Sequence, residues 1–570
     1  MKNLEVAKIF YEIADLLDIK GVPFKPRAYR RAAQTIETLT EDIQAIYERG
    51  ELEKIPGVGV NIAAKIGEIL ETGRLGYLER LRSELPPGLR ELMGIEGVGP
   101  KTALKLHKML NVSSVDELEL AIKEGKLRGL KGFREKTEEN ILQGIQMYRS
   151  AQKRFILGRI LPTATEIKEQ LEKLDVVGRI GLAGSIRRRK ETIGDADILV
   201  TSKEPLKVMD FFTALPQVKR VLAKGKTKST VILSNNLQVD LRVVKEESFG
   251  SALQYFTGSK QHNIRLRELA LKRNWKLSEY SLFDKEKNEK IAGEDEKSIY
   301  EALELSYVEP ELREDRGEIE AALERKLPKL VGYEEIRGDL HAHTVWSDGA
   351  HSILEMAEAA KSLGWEYLAV CDHSKTLRIA HGLKEEDLVK QMEEIEKINR
   401  KLEDFTVLAG VEVNIKSDGS LDIKNQVLKD LDIVVASVHS GFKHSKEQIT
   451  ERILDAVHNE YVNVLGHPTG RIIHRREPCQ MDLQKVFEVA VAQKVFMEIN
   501  AFPNRLDLSD IDCRRAKENG VKLTIGTDAH HKDHLRYMEL GVATARRGWL
   551  ESKDIINTLP VKGLKAALKK

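Results

Sequence analysis

The sequence predicts a multidomain chain with three architectures in series: a helical amino-terminal region, an α+β unit, and a carboxyl-terminal distorted barrel of seven (β/α) repeats. Three observations predict it. Residues 1–150 read as short amphipathic helices joined by glycine turns, at 3–17, 28–38, 62–71 and 102–110, with little strand pattern between them. Alternating apolar segments then begin, at 179–183, 198–201, 231–233 and 239–244, with the turn-prone pair Asn235 and Asn236 between the last two. After an acidic stretch, seven apolar runs recur at 339–343, 367–371, 406–413, 433–438, 462–465, 495–499 and 521–525, mostly separated by helical patterns. Each leads into or contains a His, Asp or Glu, and the carboxyl ends of barrel strands are where such folds build their sites.

At 570 residues the chain exceeds what one core can organise. It has no run of eighteen apolar residues and no signal-peptide pattern, which predicts a soluble, cytoplasmic protein with no membrane partner. Cys371, Cys479 and Cys513 form no CxxC pair and suit a reducing compartment. The net charge of +2 hides an asymmetry: residues 1–300 carry 53 Lys and Arg against 43 Asp and Glu, whereas 301–335 carry 5 against 11. A polyanion should therefore bind the first half. Thirteen of the fifteen histidines lie after residue 340, so a second chemistry belongs to the barrel.

The segments 55–60 (Ile-Pro-Gly-Val-Gly-Val) and 95–100 (Ile-Glu-Gly-Val-Gly-Pro) each precede a helix. Gly57, Val58 and Gly59, and likewise Gly97, Val98 and Gly99, would present free backbone amides to a DNA phosphate without reading bases. A third candidate at 130–134 lacks the second glycine. Lys65, on the helix after the first turn, reads on spacing as a phosphate contact and alternatively as a Schiff-base nucleophile toward an abasic sugar.

From Gly184 to Asp197 the chain reads Gly-Ser-Ile-Arg-Arg-Arg-Lys-Glu-Thr-Ile-Gly-Asp-Ala-Asp. Residues two apart on a strand share a face, so Asp195 and Asp197 can hold divalent cations side by side, while the Gly-Ser turn and nearby arginines receive phosphate oxygens. Asp240, on the alternating segment 239–244, supplies a third carboxylate. The constellation, with 255–259 (Tyr-Phe-Thr-Gly-Ser), Asn263, Arg267, the first hairpin and the helix containing 28–32, resembles the family X DNA polymerases of the nucleotidyltransferase superfamily.

The resemblance implies a palm, a thumb and template-directed nucleotide addition. Asp195 and Asp197 would hold both of two Mg²⁺ or Mn²⁺ ions, and Asp240 the one that acidifies the primer 3′-hydroxyl. Ser185, Arg188 and Gly194, with Gly184, would contact the triphosphate of a deoxynucleotide. Tyr255, Phe256 and Gly258 would press on the deoxyribose, Asn263 would reach the base, and Arg267 would touch the template. Three positions depart from the pattern: Ile193 replaces a hydroxyl, Gln238 an arginine that steadies the third carboxylate, and Asn61 a basic residue near Lys65.

In the barrel, His341 and His343 share a strand face, and Asp348, His373, Glu412, His439, His467, Asp528 and His530 follow near successive strand ends. Nine imidazole and carboxylate ligands without thiolate suit two or three Mn²⁺ or Zn²⁺ ions. Their order resembles the polymerase and histidinol phosphatase (PHP) domain, which implies metal-dependent phosphoester hydrolysis, and Arg471 and His474 are candidates to hold a substrate phosphate. Fused to a family X polymerase, such a domain implies 3′ to 5′ exonuclease and abasic-site or 3′-end cleaning.

The expected domains are thus 1–85 and 86–152 (helix-hairpin-helix, the second fingers-like), 153–246 (palm), 247–315 (thumb), 316–335 (linker) and 336–570 (PHP), in a monomer acting on gapped or primed DNA. Two alternatives stand beside this reading. One is a polymerase tethered to a small-molecule phosphatase; the other is a DNA-binding scaffold whose metals are structural.

Overall fold

A computed structural model describes residues 2–568 except 21, 23–24, 38–42, 56, 84–88, 90–91, 93–94, 96–97, 99, 129–137, 139–140, 143, 146–153, 378–379, 443, 474–475 and 477. It divides into two compact units, 1–154 and 155–570.

In the first unit the expected helices are present as Lys2–Ile19, Lys25–Glu37, Val60–Thr72 and Pro100–Leu110, joined by Ile43–Glu48, Gly76–Ser83 and Val115–Lys123. Their apolar faces meet in one core that includes Phe10, Ile13, Ile36, Ile66 and Leu118. Ser114 caps the last of these helices by accepting from Glu117 N, which satisfies one of the amides a helix start leaves open.

The second unit begins with a five-stranded sheet in the order Val177–Ala183, Asp195–Ser202, Gln238–Val244, Lys228–Leu233, Val218–Lys224. The expected turn is present: Asn236 adopts φ 67° and the Asn235 side chain accepts from Leu237 N. The Val218–Lys224 strand was not expected, because charge interrupts its alternation; it lies at the sheet edge, where Lys219, Arg220 and Lys224 oppose edge-to-edge pairing. Next come helices Phe249–Thr257 and Lys260–Lys272, a small sheet of Trp275–Leu277, Leu282–Asp284 and Glu289–Ala292, and helix Glu296–Ala302.

The stretch 316–335, expected as a connector, is folded. Helix Glu318–Leu323 sends Ile319 and Ala322 into the core built by Leu266, Ile299 and Tyr300. Buried Glu318 lies 2.7 Å from His262 Nδ1, so one of the two histidines outside the barrel is spent on this junction.

All seven expected barrel strands form, at Gly338–Ala342, Tyr367–Val370, Thr406–Asn414, Ile433–Ser437, Val464–Leu465, Phe496–Asn500 and Leu523–Gly526, each parallel to the next. First and last meet at one end, where His343 N donates to Ala529 O and Asp528 N to His341 O. At the other end Asn557 donates to both Gly338 O and Ile525 O. The α+β unit and the barrel share apolar packing: Leu506 and Leu540 are buried in the core of Ile198, Val200 and Leu241. Any side chain at Gly158 would meet Leu540. Among the described residues, no helix is long and apolar enough to cross a membrane.

Candidate active sites

The first site lies where two parallel strands run side by side. Asp197 pairs in register with Asp240, and Asp195, two residues earlier on the same face, pairs with Gln238. Alternation puts the three carboxylates on one face, as their spacing predicts. Burial, followed by repulsion from Asp195 and Asp240, pushes the Asp197 carboxyl up to about 7. That unfavourable concentration of negative charge is what a divalent cation relieves.

Asp240 has three polar partners. Thr230 Oγ1 donates to its Oδ1 at 2.6 Å, Lys228 Nζ lies 2.8 Å from Oδ2, and Gln238 Nε2 is 3.4 Å from Oδ1. Lys228 and Thr230 were missed by sequence reasoning. They come from the neighbouring antiparallel strand, and only the register Thr230 opposite Asp240 makes them its partners. The positive partner expected at position 238 is thus supplied at 228.

Gly184 carries φ 66°, and a Cβ there would sit 2.5 Å from Asp197 Oδ2. Glycine is therefore required both for the left-handed turn and for the close approach of the turn to the carboxylates. The short helix Gly184–Arg187 follows, with Ser185 half-buried upon it. Arg188 donates from Nε to Glu314 Oε1 at 3.0 Å and from Nη1 to Thr257 O at 2.5 Å. Gly194 is exposed just before Asp195.

Tyr255 and Phe256 stand edge to face, their ring centroids 5.1 Å apart, and Arg242 lies over Phe256. A Cβ on Gly258 would come 3.3 Å from Arg188 Nη1, which places the aromatic segment against the arginine that follows the Gly184 turn. Asn263 is oriented by Gln254 Nε2, which donates to its Oδ1, and by its own Nδ2 donating to Tyr255 O. Arg267 donates to Asn263 O and reaches over Tyr255.

The second site is a cage at the carboxyl ends of the barrel strands. Glu412 is its centre: His373 Nδ1 lies 2.6 Å from its Oε2, and His467 Nε2 and His439 Nε2 lie 3.0 and 3.3 Å from its Oε1. Asp528 Oδ1 is 3.1 Å from His343 Nε2, and Asp348 Oδ1 is 3.3 Å from His530 Nε2. Potential ligand atoms converge in three groups: His343, Asp348, His373 and His530; His341, His343 and Asp528; and His373, Glu412 and His439. His467 joins them through Glu412, so all nine expected residues meet in one cage.

Its electrostatics fit cations. His341 Nε2 and His439 Nε2 are buried without a well-formed hydrogen bond, which is costly unless something else binds there. Burial, with His373 and His530, pushes His343 down to about 3. Burial opposes the charged form of His530 as well, but the hydrogen bond to Asp348 and the charge of Asp528 raise it to about 9. The donor set is therefore imidazole and carboxylate in low dielectric, suited to borderline divalent ions.

Partners of these ligands were not identified from sequence. Glu498 lies 2.6 Å from His341 Nδ1 and accepts from His467 N, fixing the His341 tautomer with Nε2 toward the cage. Asn414 Oδ1 lies 2.5 Å from His439 Nδ1, and Asn500 donates to Asp528 Oδ2. A lone Glu in the apolar run 495–499 was the available signal.

Arg471 is placed elsewhere than expected. It donates to Arg505 O and Leu506 O and pairs with Glu191 at 2.7 Å, so it ties the barrel to the α+β sheet and does not serve the cage. His474 lies outside the described residues. His351 and His531 stack edge to face outside the three ligand groups.

In the first unit, the hairpin at 55–60 has Gly57 at φ 87°, Val58 buried and Gly59 as the N-cap of Val60–Thr72. Val58 N donates to Ile55 O at 3.0 Å, and Val98 N repeats that bond to Ile95 O at 2.9 Å, so these two amides, expected to be free, are instead spent on closing the turns. Gly97, Gly99 and the segment 130–134 lie outside the described residues. Lys65 donates to Asn61 O, lies over the Tyr77 ring and shares an open cavity with Glu68 and Arg80. Burial, with Lys25 and Arg80, holds its ammonium below the ordinary lysine range against the pull of Glu68.

Comparison with known proteins agrees with this geometry. Two families described as helix-hairpin-helix match residues 1–75 and, as a tandem, 89–147. The DNA polymerase beta thumb family matches 252–314 and the PHP domain family 339–502. Over 39% of its length the chain is 32% identical to a protein named probable phosphatase from Thermoanaerobacter sp., covering 89% of that protein. A similarly named protein from Clostridium acetobutylicum is 30% identical over 34% of the chain and 78% of its own length. Over 100% of both chains it is 38% identical to the "DNA polymerase/3′-5′ exonuclease PolX" of Bacillus subtilis. The chain therefore belongs to the PolX family, the family X DNA polymerases that carry a PHP domain.

Proposed function

We propose that this chain extends the 3′ end of gapped or primed DNA from deoxynucleoside triphosphates at Asp195, Asp197 and Asp240, and degrades or cleans 3′ ends at the barrel cage. The coexistence in one chain of register-paired carboxylates and a nine-ligand cage carries the reading. Mg²⁺ or Mn²⁺ suits the first site, and two or three Mn²⁺ or Zn²⁺ ions the second. Cations at either site would supply Lewis-acid stabilisation of charge on phosphate and hydroxyl oxygens.

The protein's own groups do the rest. Gly184, Ser185, Arg188 and Gly194 receive the triphosphate; Tyr255, Phe256 and Gly258 take the sugar; Asn263 takes the base and Arg267 the template. Gly57 and Gly59, with their counterparts Gly97 and Gly99, offer amides to DNA phosphates, while Val58 and Val98 hold the turns closed through their bonds to Ile55 O and Ile95 O. Lys65 is a further phosphate contact, and its lowered basicity and open cavity favour a second role as an amine nucleophile toward an abasic sugar. This combination fits gap filling during base excision repair in the cytoplasm.

The deciding experiment incubates a gapped, primed duplex with Mn²⁺, with and without deoxynucleotides. Asp240→Ala should abolish extension and spare degradation, and His341→Ala the reverse; degradation that survives in the second variant removes the nuclease assignment. The phosphatase-named relatives of the barrel favour one competing reading, a small-molecule phosphatase. Faster turnover of small phosphate monoesters than of DNA 3′ ends would establish it.

A further inference from the structure

The turn that follows the phosphate grip, residues 188–191, is held by the barrel at each of three positions. Arg547 Nη1 donates to Arg188 O at 2.8 Å, Glu539 accepts from Arg189 Nη2 at 2.7 Å, and Arg471 pairs with Glu191. Arg547 also reaches the Arg188 side chain indirectly. Its Nη1 lies 3.1 Å from Glu314 Oε1, the same oxygen that accepts from Arg188 Nε. Its other nitrogen, Nη2, donates to Asp510 at 2.7 Å, and Asp510 in turn pairs with Arg316. Arg547 is 4% exposed, so these bonds are made away from water.

We propose that Arg547, a barrel residue, is a positioning residue for nucleotide binding at the polymerase site. It sets both the backbone and the guanidinium of Arg188. This rests on the reading of Arg188 as a triphosphate contact. Glu314 is the pivot: it sits among Arg547, Arg188 and Lys190, the last 3.7 Å away, and would compete with a triphosphate for the two cations on the polymerase side. Arg547 satisfies Glu314 from the barrel side and weakens that competition. Without it, a buried carboxylate short of one partner draws Arg188 and Lys190 toward itself, because an uncompensated buried charge is costly. The carbonyl of Arg188 loses its donor at the same time. Nucleotide affinity therefore depends on the barrel, although no barrel residue need touch the nucleotide.

The test uses the full-length chain and steady-state extension of a gapped duplex. Arg547→Gln should raise KM for the deoxynucleotide about tenfold, the scale of one charge-assisted contact, with kcat within about twofold and degradation of a 3′ end unchanged. Arg547→Lys should recover part of the loss, since it restores the charge but not the fork. Arg514→Ala removes a different junction bond, to Arg316 O, and leaves 188–191 untouched; it should leave KM unchanged.

If Arg188→Gln raises KM and Arg547→Gln does not, the inference is overturned and the triphosphate role of Arg188 stands. An unchanged KM in Arg188→Gln overturns that role and the inference with it. Equal effects of Arg514→Ala and Arg547→Gln, or loss of degradation in Arg547→Gln, would mean a general loosening of the junction and would also overturn it.

Discussion

Asp197 and Asp240 stand opposite each other on adjacent parallel strands, and Thr230 on the next strand donates to Asp240 across the antiparallel pair. Two register choices thus create both the candidate cation site and its support. Removing Asp240 leaves Asp195 and Asp197 without the third carboxylate of the proposed site. Extension by Asp240→Ala should fall by about a thousandfold or more, because cation placement stabilises the reacting oxygens, whereas degradation by the barrel continues.

Thr230→Val removes one buried donor to Asp240 and keeps the side-chain volume. A hydrogen bond to a charged group contributes about 1.5–3 kcal/mol, and support of a metal ligand about 10- to 100-fold. Extension at low cation concentration should drop by about tenfold, with partial recovery at high Mg²⁺. A cation titration of the rate checks this.

Asp197 keeps its proton up to about 7 in the cation-free fold, because burial and then Asp195 and Asp240 oppose ionisation. The unfolded chain releases the same proton near pH 4. Between about pH 4 and 7 the folded state binds more protons, so this group makes cation-free stability fall as pH rises. Thermal midpoints in chelator should show a shallower decline for Asp197→Asn than for the unaltered chain. Identical slopes would contradict the assigned proton.

Glu498→Gln leaves the nine cage ligands in place but removes the carboxylate that orients His341. Metal affinity at the cage should weaken by about 10- to 100-fold, as competition with a chromophoric chelator would measure. Degradation should decline at limiting metal, while extension stays unchanged.

A Lys65→Ala chain should bind a gapped duplex carrying a 5′-phosphate several-fold more weakly, most clearly at low salt. Borohydride trapping on an abasic 5′ end should label the unaltered chain and not this variant. Absence of a trapped adduct in both would leave only the phosphate-contact role.

Sequence alone determined the parts whose cause is local. A glycine needed for a left-handed turn, carboxylates two apart on a strand, and ligands at the ends of recurring apolar runs follow from backbone periodicity, and Gly184, Asp195, Asp197 and the nine cage residues were legible that way. The two glycine turns were legible too, but the bonds that engage the Val58 and Val98 amides within them were not.

Tertiary structure decided what depends on partners distant in the chain. Lys228 became the cation beside Asp240 through strand register, Glu498 the partner of His341 through barrel closure, and Arg471 a link to Glu191 through the apolar packing that the α+β sheet and the barrel share. The stretch 316–335 reads as a connector because it is acidic, yet Glu318 is buried against His262 and Ile319 completes a core. A charged residue's role depends on which opposite charge the fold brings within reach. Periodicity records which face a side chain occupies but not what stands across from it.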